Sequence, residues 1–467
     1  GSAKRTIAAA DSALVSSGGD IYARPGNYCS ESPVVLSNGH TLHLGSGMYQ
    51  MEVAGADSTT SNVSWAVEGA GPDKTTIEAC AGANKDVVTD ANFATLTGGT
   101  NFYGTFRVVI SGVTIDGNKT NQTGASYGIR LYGRAARIRN VVVQNCYSDG
   151  IWMEWGGTEN DTGSSTDVEG QIFGVESIYN GGNGMTVKGA PGGLESLVNF
   201  VADENGAWGL ADESNIIASH VNTYENGSGG CDVKSASSLQ GTDVECTTTT
   251  GYGMLVESGA GMQVISSGDW GGGIPLELDG GANSTYEGAV VNAGSGDPGV
   301  KITSASVYGL NLVLSLNNNP GTQVDFVAGG GQGTILLSGN APAGATLFAG
   351  TTPGPANIFA YVTSSPSNLI YNQLSTATIY AAGWPDVFPS GNGGVPVSGT
   401  LTTTTGTSNS VTIYGVTTSS HCSLTPTNSS AASGITSSYI SSVGTNSVTV
   451  SHSNSSGMTF NILCTPN

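Results

Sequence analysis

Gly128-Ile129-Arg130-Leu131-Tyr132, Gly150-Ile151-Trp152-Met153-Glu154 and Gly184-Met185-Thr186-Val187-Lys188 repeat one pattern: a glycine, then apolar residues alternating with free positions. The series runs on through Gly209-Leu210-Ala211-Asp212-Glu213, Gly230-Cys231-Asp232-Val233-Lys234 and Gly253-Met254-Leu255-Val256-Glu257. Gly273-Ile274-Pro275-Leu276-Glu277 and Gly299-Val300-Lys301-Ile302-Thr303 complete it. Successive glycines stand 22, 34, 25, 21, 23, 20 and 26 residues apart. Alternation with period two marks a short strand with one buried face. A unit this short cannot bury its own face, so the copies are expected to stack as a solenoid. Strands fed one per turn into the same stack make a parallel β-helix.

A second strand column precedes the first: Val113-Thr114-Ile115, Val141-Val142-Val143, Val175-Glu176-Ser177, Phe200-Val201-Ala202 and Val221-Asn222-Thr223. Polar turns follow, three of them with Asn-Gly at matching places: Asn180-Gly181, Asn205-Gly206 and Asn226-Gly227. Both residue types accept left-handed backbone angles, and stacked Asn side chains can bond along the axis.

Composition agrees. Glycine supplies 71 of 467 residues and charged residues only 10%, with a formal net charge of −21. Such an acidic surface excludes nucleic acid as a partner, and its field disfavours a strongly anionic polysaccharide. The last Lys or Arg is Lys301, and residues 387–467 carry no charged side chain. Alternating Ser410-Val411-Thr412-Ile413-Tyr414 and Ser447-Val448-Thr449-Val450-Ser451 make that tail a compact β module rather than a linker. Seven cysteines are too few for a disulfide-dense scaffold. Cys146 and Cys231 are expected as free core residues, while Cys29 with Cys80 and Cys422 with Cys464 are open to pairing. No apolar run approaches the roughly 18 residues of a membrane span. Gly1-Ser2 has the look of a cloning scar, with upstream residues removed.

Residues 4–27 predict a short helix and a strand that cap the open end of the solenoid. The stretches SSGGDIYARPGNY (16–28) and SNGHTLHLGSGMY (37–49), with VTIDGN (113–118) and NCYSDGIWM (145–153), resemble pectate-lyase-like right-handed parallel β-helix proteins, including bacteriophage tailspike depolymerases. The tail stretches HCSLTPTNSSAA (421–432) and SVTVSHSNSSGMTFNILC (447–464) resemble small β modules that end tail-fibre proteins. The resemblance implies an all-β, single-stranded parallel β-helix, a homotrimer and a secreted or virion-surface location. The expected boundaries are a cap at 1–35, the β-helix at 36–335, a connecting segment at 336–393 and a terminal β module at 394–467.

Outward positions of the Gly strands fall into two columns. The third residues are Arg130, Trp152, Thr186, Ala211, Asp232, Leu255, Pro275 and Lys301; the fifth are Tyr132, Glu154, Lys188, Glu213, Lys234, Glu257, Glu277 and Thr303. With rungs about 4.8 Å apart, the second column is a ladder of alternating charge. It reads as a solvated salt ladder or as a catalytic floor. Trp152, Trp155 and Trp208 on or beside these rungs favour the floor, since indole faces beside carboxylates grip sugar rings. The insertion GGTENDTGSSTDVEGQ (156–171) would wall it. Asp212 stands where other copies have Leu131, Met153, Val187, Val233 or Val256, so either the strand bulges or the acid is buried.

Glycoside hydrolysis needs one protonated and one ionised carboxyl, roughly 5–5.5 Å apart for retention and 6.5–9.5 Å for inversion. Glu154 and Glu213, two rungs apart in one column, would lie about 9–10 Å apart. Glu213 and Asp232, on adjacent rungs of neighbouring columns, would lie about 5–8 Å apart. Glu154, Asp212, Glu213 and Asp232 are therefore the catalytic candidates. Trp152, Trp155, Trp208, Arg130, Lys188 and Lys234 are the substrate-binding ones. Asp149 resembles the Asp of the Asn-Thr-Asp-Gly-Ile motif of polygalacturonase-like β-helices and is held in reserve. Asn183 replaces that family's Asp pair and its His-Gly motif is absent, so pectin hydrolysis is not implied. Asp116, Asp203, Glu204, Glu225, Asp243 and Glu245 would suit calcium by ligand hardness, yet no EF-hand or nonapeptide calcium repeat appears. No cofactor or metal is expected; the histidines lack zinc spacing, and phosphate loop and nucleophile elbow are missing. The expectation is a polysaccharide-degrading hydrolase. The alternatives are a lyase or intramolecular glycosyl transferase on the same fold, and a non-catalytic glycan-binding adhesin or spike.

Overall fold

A computed structural model of the chain describes residues 5–14, 18–97, 104–155, 170–189, 194–271, 273–279, 284–292, 297–303, 308–317, 322–327, 332–340, 346–350, 356–362, 368–370, 378–381, 397–413 and 416–465. It divides into two compact units, Gly1–Gly294 and Ser295–Asn467.

The first unit is a parallel β-helix. Its Gly strands, Ile129–Arg134, Ile151–Trp155, Met185–Gly189, Trp208–Glu213, Gly229–Val233, Tyr252–Val256 and Ile274–Leu278, pair side by side in parallel. Ile129, Ile151, Met185, Leu210, Cys231 and Met254 lie in one register line, as the repeat predicts, and each is essentially inaccessible. One copy departs from the expected alignment. Gly253 is level with Pro275 rather than Gly273, because Leu255 pairs with Glu277 and Val256 with Leu278. Glu277 thus moves to the column of third residues. The glycine at 273 belongs to the turn before the strand, a shift of two residues that leaves inside and outside unchanged.

Val113, Val141, Val175, Phe200, Val221 and Val244 form the second inward line, on the long strands Val109–Asp116, Arg137–Gln144, Gln171–Ile178, Leu194–Asp203, Asn215–Tyr224 and Ser238–Thr248. Each long strand is broken in its middle by one residue with positive φ: Gly112, Asn140, Gly174, Asn199, His220 or Asp243. The pairing ladder skips that residue, as between Ser111–Arg139 and Val113–Val141. A left-handed residue turns the chain, so each coil gains a bend that apolar alternation alone does not announce.

The Asn-Gly turns build a hydrogen-bonded spine. Asn180 Nδ2 donates to Asn205 Oδ1 at 2.9 Å, Asn205 Nδ2 donates to Asn226 Oδ1 at 2.9 Å, and the backbone N–H of Cys146 donates to Asn180 Oδ1 at 3.0 Å. The spine explains the glycine that opens each Gly strand. A Cβ on Gly184 would sit 2.8 Å from Asn205 Nδ2 and 2.6 Å from the Gly209 carbonyl oxygen. One on Gly209 would meet Asn226 Nδ2 at 2.8 Å. Glycine is there because the amide ladder fills the corner.

At the N-terminal end helix Ile7–Asp11, capped by the Thr6 hydroxyl, is tied down by Asp11, which accepts from the Ser37 hydroxyl at 2.6 Å and contacts His40 Nδ1 at 2.6 Å. Disulfides join Cys29 to Cys80 and Cys231 to Cys246. Cys231, expected as a free core thiol, is therefore paired: its neighbour in space is the long strand of its own coil, beyond the reach of a sequence reading. Cys146 alone among the described cysteines is a buried free thiol.

The second unit holds parallel pairs of its own. Val300–Ile302, Thr322–Phe326, Thr346–Gly350 and Asn368–Ile370 form one series; Tyr308–Asn317, Gln332–Asn340, Ala356–Val362 and Thr378–Ala381 form the other. Parallel pairing thus reaches into the stretch 336–393 that the sequence divides off as a connecting segment. Residues 397–413 and 416–465 form two three-stranded antiparallel sheets around Leu401, Ile413, Val448, Val450 and Ile462, with Cys422 bonded to Cys464.

Candidate active site

The outward face of the Gly strands carries three columns, not two. Beside the third and fifth positions, the residue before each glycine forms a column of its own: Tyr127, Asp149, Asn183, Trp208, Gly229 and Tyr252. Trp208, Gly229 and Tyr252 are in register on successive strands. Gly229 has no side chain, so the Trp208 indole lies across it and stacks on Tyr252, centroids 6.1 Å apart and planes 19° apart. A Cβ at Gly229 would stand 2.2 Å from Trp208 Cζ3. Two half-buried rings thus make one continuous platform.

Beside the platform lie the acids of the central rungs. Asp232 is level with Ala211 and Leu255, two side chains without polar groups. Its carboxylate is sealed, 0% exposed, under the ammonium of Lys234, which also donates to Glu257 Oε1 at 2.9 Å. Among the described residues, Asp232 Oδ1 has no hydrogen-bond partner. Burial pushes its pKa up to about 6, with Lys234 pulling the other way and Glu257 and Glu213 adding to the rise. Glu213 is half-buried at the end of its strand, in register with Lys188.

Asp212 faces inward. It pairs without a bulge between Val187 and Val233 and is 1% exposed, so it does not reach the face. Its Oδ1 accepts from the Ser214 N–H at 2.8 Å, and burial holds its pKa well above the carboxylate range. Asp149 is nearly buried too. It accepts from the Asn183 N–H at 2.8 Å and the Thr186 hydroxyl at 2.7 Å, and burial raises its pKa against those bonds.

The upper rungs form a separate cluster. Trp152 Nε1 donates to Glu154 Oε2 at 2.9 Å, and Lys188 Nζ stands 3.9 Å from Glu154 Oε1. The Arg130 guanidinium packs over Phe93 at 4.1 Å and Tyr127 at 4.3 Å, with Asp86 3.6 Å away. Every charge here already has an opposite partner. Tyr132, expected to face out, is 1% exposed against Phe93. The side chain of Trp155 and residues 156–169 of the expected wall lie outside the described residues. Among those described, no group of three or more His, Cys, Asp or Glu is placed to hold a metal ion.

Tyr252, Gly229, Tyr127 and Asp86 are the members that sequence reasoning missed. A signal for Tyr252 was present: it precedes Gly253 as Trp208 precedes Gly209. Asp86 gave none, since it lies in a loop outside the repeat.

The fold and face define a parallel β-helix whose outward face carries an aromatic platform and, on the same rungs, the carboxyl groups of Glu213 and Asp232. No family model matches the chain, and no curated protein matches it in sequence. Among solved structures it is similar to the A-module of mannuronan C-5 epimerase AlgE6 from Azotobacter vinelandii, at 12% identity and TM-score 0.35 over 73% of this chain and 90% of that one. It is also similar to the Dettilon tailspike protein, at 13% identity and TM-score 0.37 over 91% and 88% of the two chains. The tailspike protein gp49 of Acinetobacter baumannii bacteriophage Fri1, a capsular polysaccharide depolymerase, matches at 11% identity and TM-score 0.31 over 91% and 79%. At such identities the likeness is one of fold and transfers no residue role.

Proposed function

We propose that the protein is a polysaccharide-degrading glycoside hydrolase, with the glycan lying along the outward face of the Gly strands. The observation that carries this reading is the Trp208–Tyr252 platform beside Glu213 and Asp232. One sugar ring stacks on the platform, and the next lies over Ala211 between the two acids. Asp232, protonated in good part near pH 6, serves as general acid once Lys234 swings toward Glu257. Glu213 supplies the second carboxyl group of the pair. Glu154 holds the Trp152 indole rather than the reacting bond.

The test is a panel of polysaccharides assayed for new reducing ends and for absorbance near 235 nm (roughly where unsaturated uronates absorb). Chain shortening without that absorbance is expected. Glu213→Gln and Asp232→Asn should each lower the rate by about 10²-fold or more, and Glu154→Gln by far less. Absorbance growth would make the protein a lyase, and binding without shortening would make it an adhesin. Three disulfides suit an oxidising compartment, which supports an extracellular location. The proposed assembly is a homotrimer, checked by sedimentation of the full chain.

A further inference from the structure

Six of the fourteen Lys and Arg residues fall between Gly104 and Asn140, against a single acid, Asp116. In the groove each cation is matched: Arg130 by Asp86, Lys188 by Glu154, Lys234 by Asp232 and Glu257. A second group of cations gathers at the corner where strand Ile129–Arg134 passes into Arg137–Gln144. The Arg107 N–H donates to the Arg134 carbonyl at 3.1 Å, and the Arg137 N–H to the Val108 carbonyl at 2.8 Å, so three arginines are held on adjoining backbone. Arg107 and Arg134 lean on the same Phe106 ring, at 4.8 and 5.3 Å. Arg137 and Arg139, both exposed, project from one strand about 7 Å apart. Arg139 donates to Gln171 Oε1 at 3.4 Å. Among the described residues, Arg107, Arg137 and Arg139 have no carboxylate partner. Glu68 lies two rungs away in the Arg139 column and is 3.5 Å from His43. Directly in register with Arg139 stands Phe173, 53% exposed, a large apolar ring left open to solvent.

We infer that this arginine corner, Arg107, Arg137 and Arg139 beside Phe173, is a binding subsite for a carboxylate-bearing sugar at the edge of the groove floor. Guanidinium forks take a carboxylate in two parallel bonds, and the phenyl face takes the apolar side of a sugar ring. A long polyanion is opposed by the net charge of −21, whereas isolated acidic residues on a mostly neutral chain are not. The choice of a sugar as ligand rests on the glycan reading above; the anion site itself does not.

The experiment is calorimetric titration of the full chain with an oligosaccharide carrying a single galacturonate residue and with its neutral counterpart of equal length, at low and high salt. The uronate should bind more tightly, with affinity falling as salt rises. Arg137→Gln with Arg139→Gln should weaken uronate binding at least tenfold and leave neutral binding and melting temperature unchanged. Phe173→Ala should weaken both ligands. Equal affinity of the wild-type chain for the two ligands, or unchanged uronate binding in the double arginine variant, overturns the inference. Arginine-dependent uronate binding in a protein that shortens no polysaccharide upholds it while removing the hydrolase reading.

Discussion

Replacing Asn205 with alanine tests the corner spine directly. The Asn205 side chain accepts at Oδ1 from the Asn180 N–H at 3.1 Å and from Asn180 Nδ2 at 2.9 Å. Its own Nδ2 donates to the Ser177 carbonyl at 2.9 Å and to Asn226 Oδ1 at 2.9 Å. In the variant Asn180 Nδ2 keeps the Ser177 hydroxyl, at 3.1 Å, and Asn226 Oδ1 keeps the Asn205 N–H, at 3.0 Å. Two groups lose their side-chain partner, the Asn180 N–H and one bond to the Ser177 carbonyl. Asn180 is 1% exposed and Ser177 0%, so water does not replace the bonds. At about 1–3 kcal/mol per buried unsatisfied group, the cost is about 2–6 kcal/mol. The assay is equilibrium urea unfolding followed by circular dichroism, with exposed Gln240→Ala as a control expected within about 0.5 kcal/mol of wild type. A loss below about 1 kcal/mol for Asn205→Ala would refute the reasoning, because it would mean the corner relaxes or hydrates at no cost.

Asp232 should make stability fall as pH rises. Its folded pKa of about 6 lies above the unfolded value near 3.9, so the folded state holds the extra proton between them. Wild type should lose about 2 kcal/mol from this group between pH 4 and 7, and a difference curve against Asp232→Asn that stays flat sinks the assignment. Gly229→Ala should push the Trp208 ring off Tyr252, shifting tryptophan fluorescence and weakening glycan binding; an unchanged spectrum with full affinity counts against the platform. Cys231 and Cys246 close a span of 15 residues, so replacing both by serine should cost about 3 kcal/mol in thermal or urea unfolding. Equal midpoints for the two proteins would show that packing alone fixes that coil.

Legibility followed the repeat. Both inward lines were readable because period-two alternation reports directly which side chains a strand buries. The inward Asp212 is visible as an interruption of that line, but the choice between bulge and burial is made by unbroken pairing on both sides, which one strand's pattern does not show. The two-residue slip at Gly273 has a plain cause: the sequence offers a glycine near the right place, while backbone pairing selects Pro275. Tyr252 escaped notice because the residue before the glycine belongs to no alternating run. The Cys231–Cys246 bond and the Asp86 contact join elements whose spatial neighbourhood is set by how a coil closes, which local pattern does not encode.

The two corners of each coil are governed by different rules. From Cys146 to Gly150, Asn180 to Gly184, Asn205 to Gly209 and Asn226 to Gly230 the interval is always four residues. From Gly150 to Asn180, Gly184 to Asn205 and Gly209 to Asn226 it is 30, 21 and 17. The amide zip locks one hinge at fixed length, and all insertion and deletion is absorbed at the other. Lineages carrying such a scaffold can therefore rebuild the rim facing a new glycan while the bed beneath keeps its geometry.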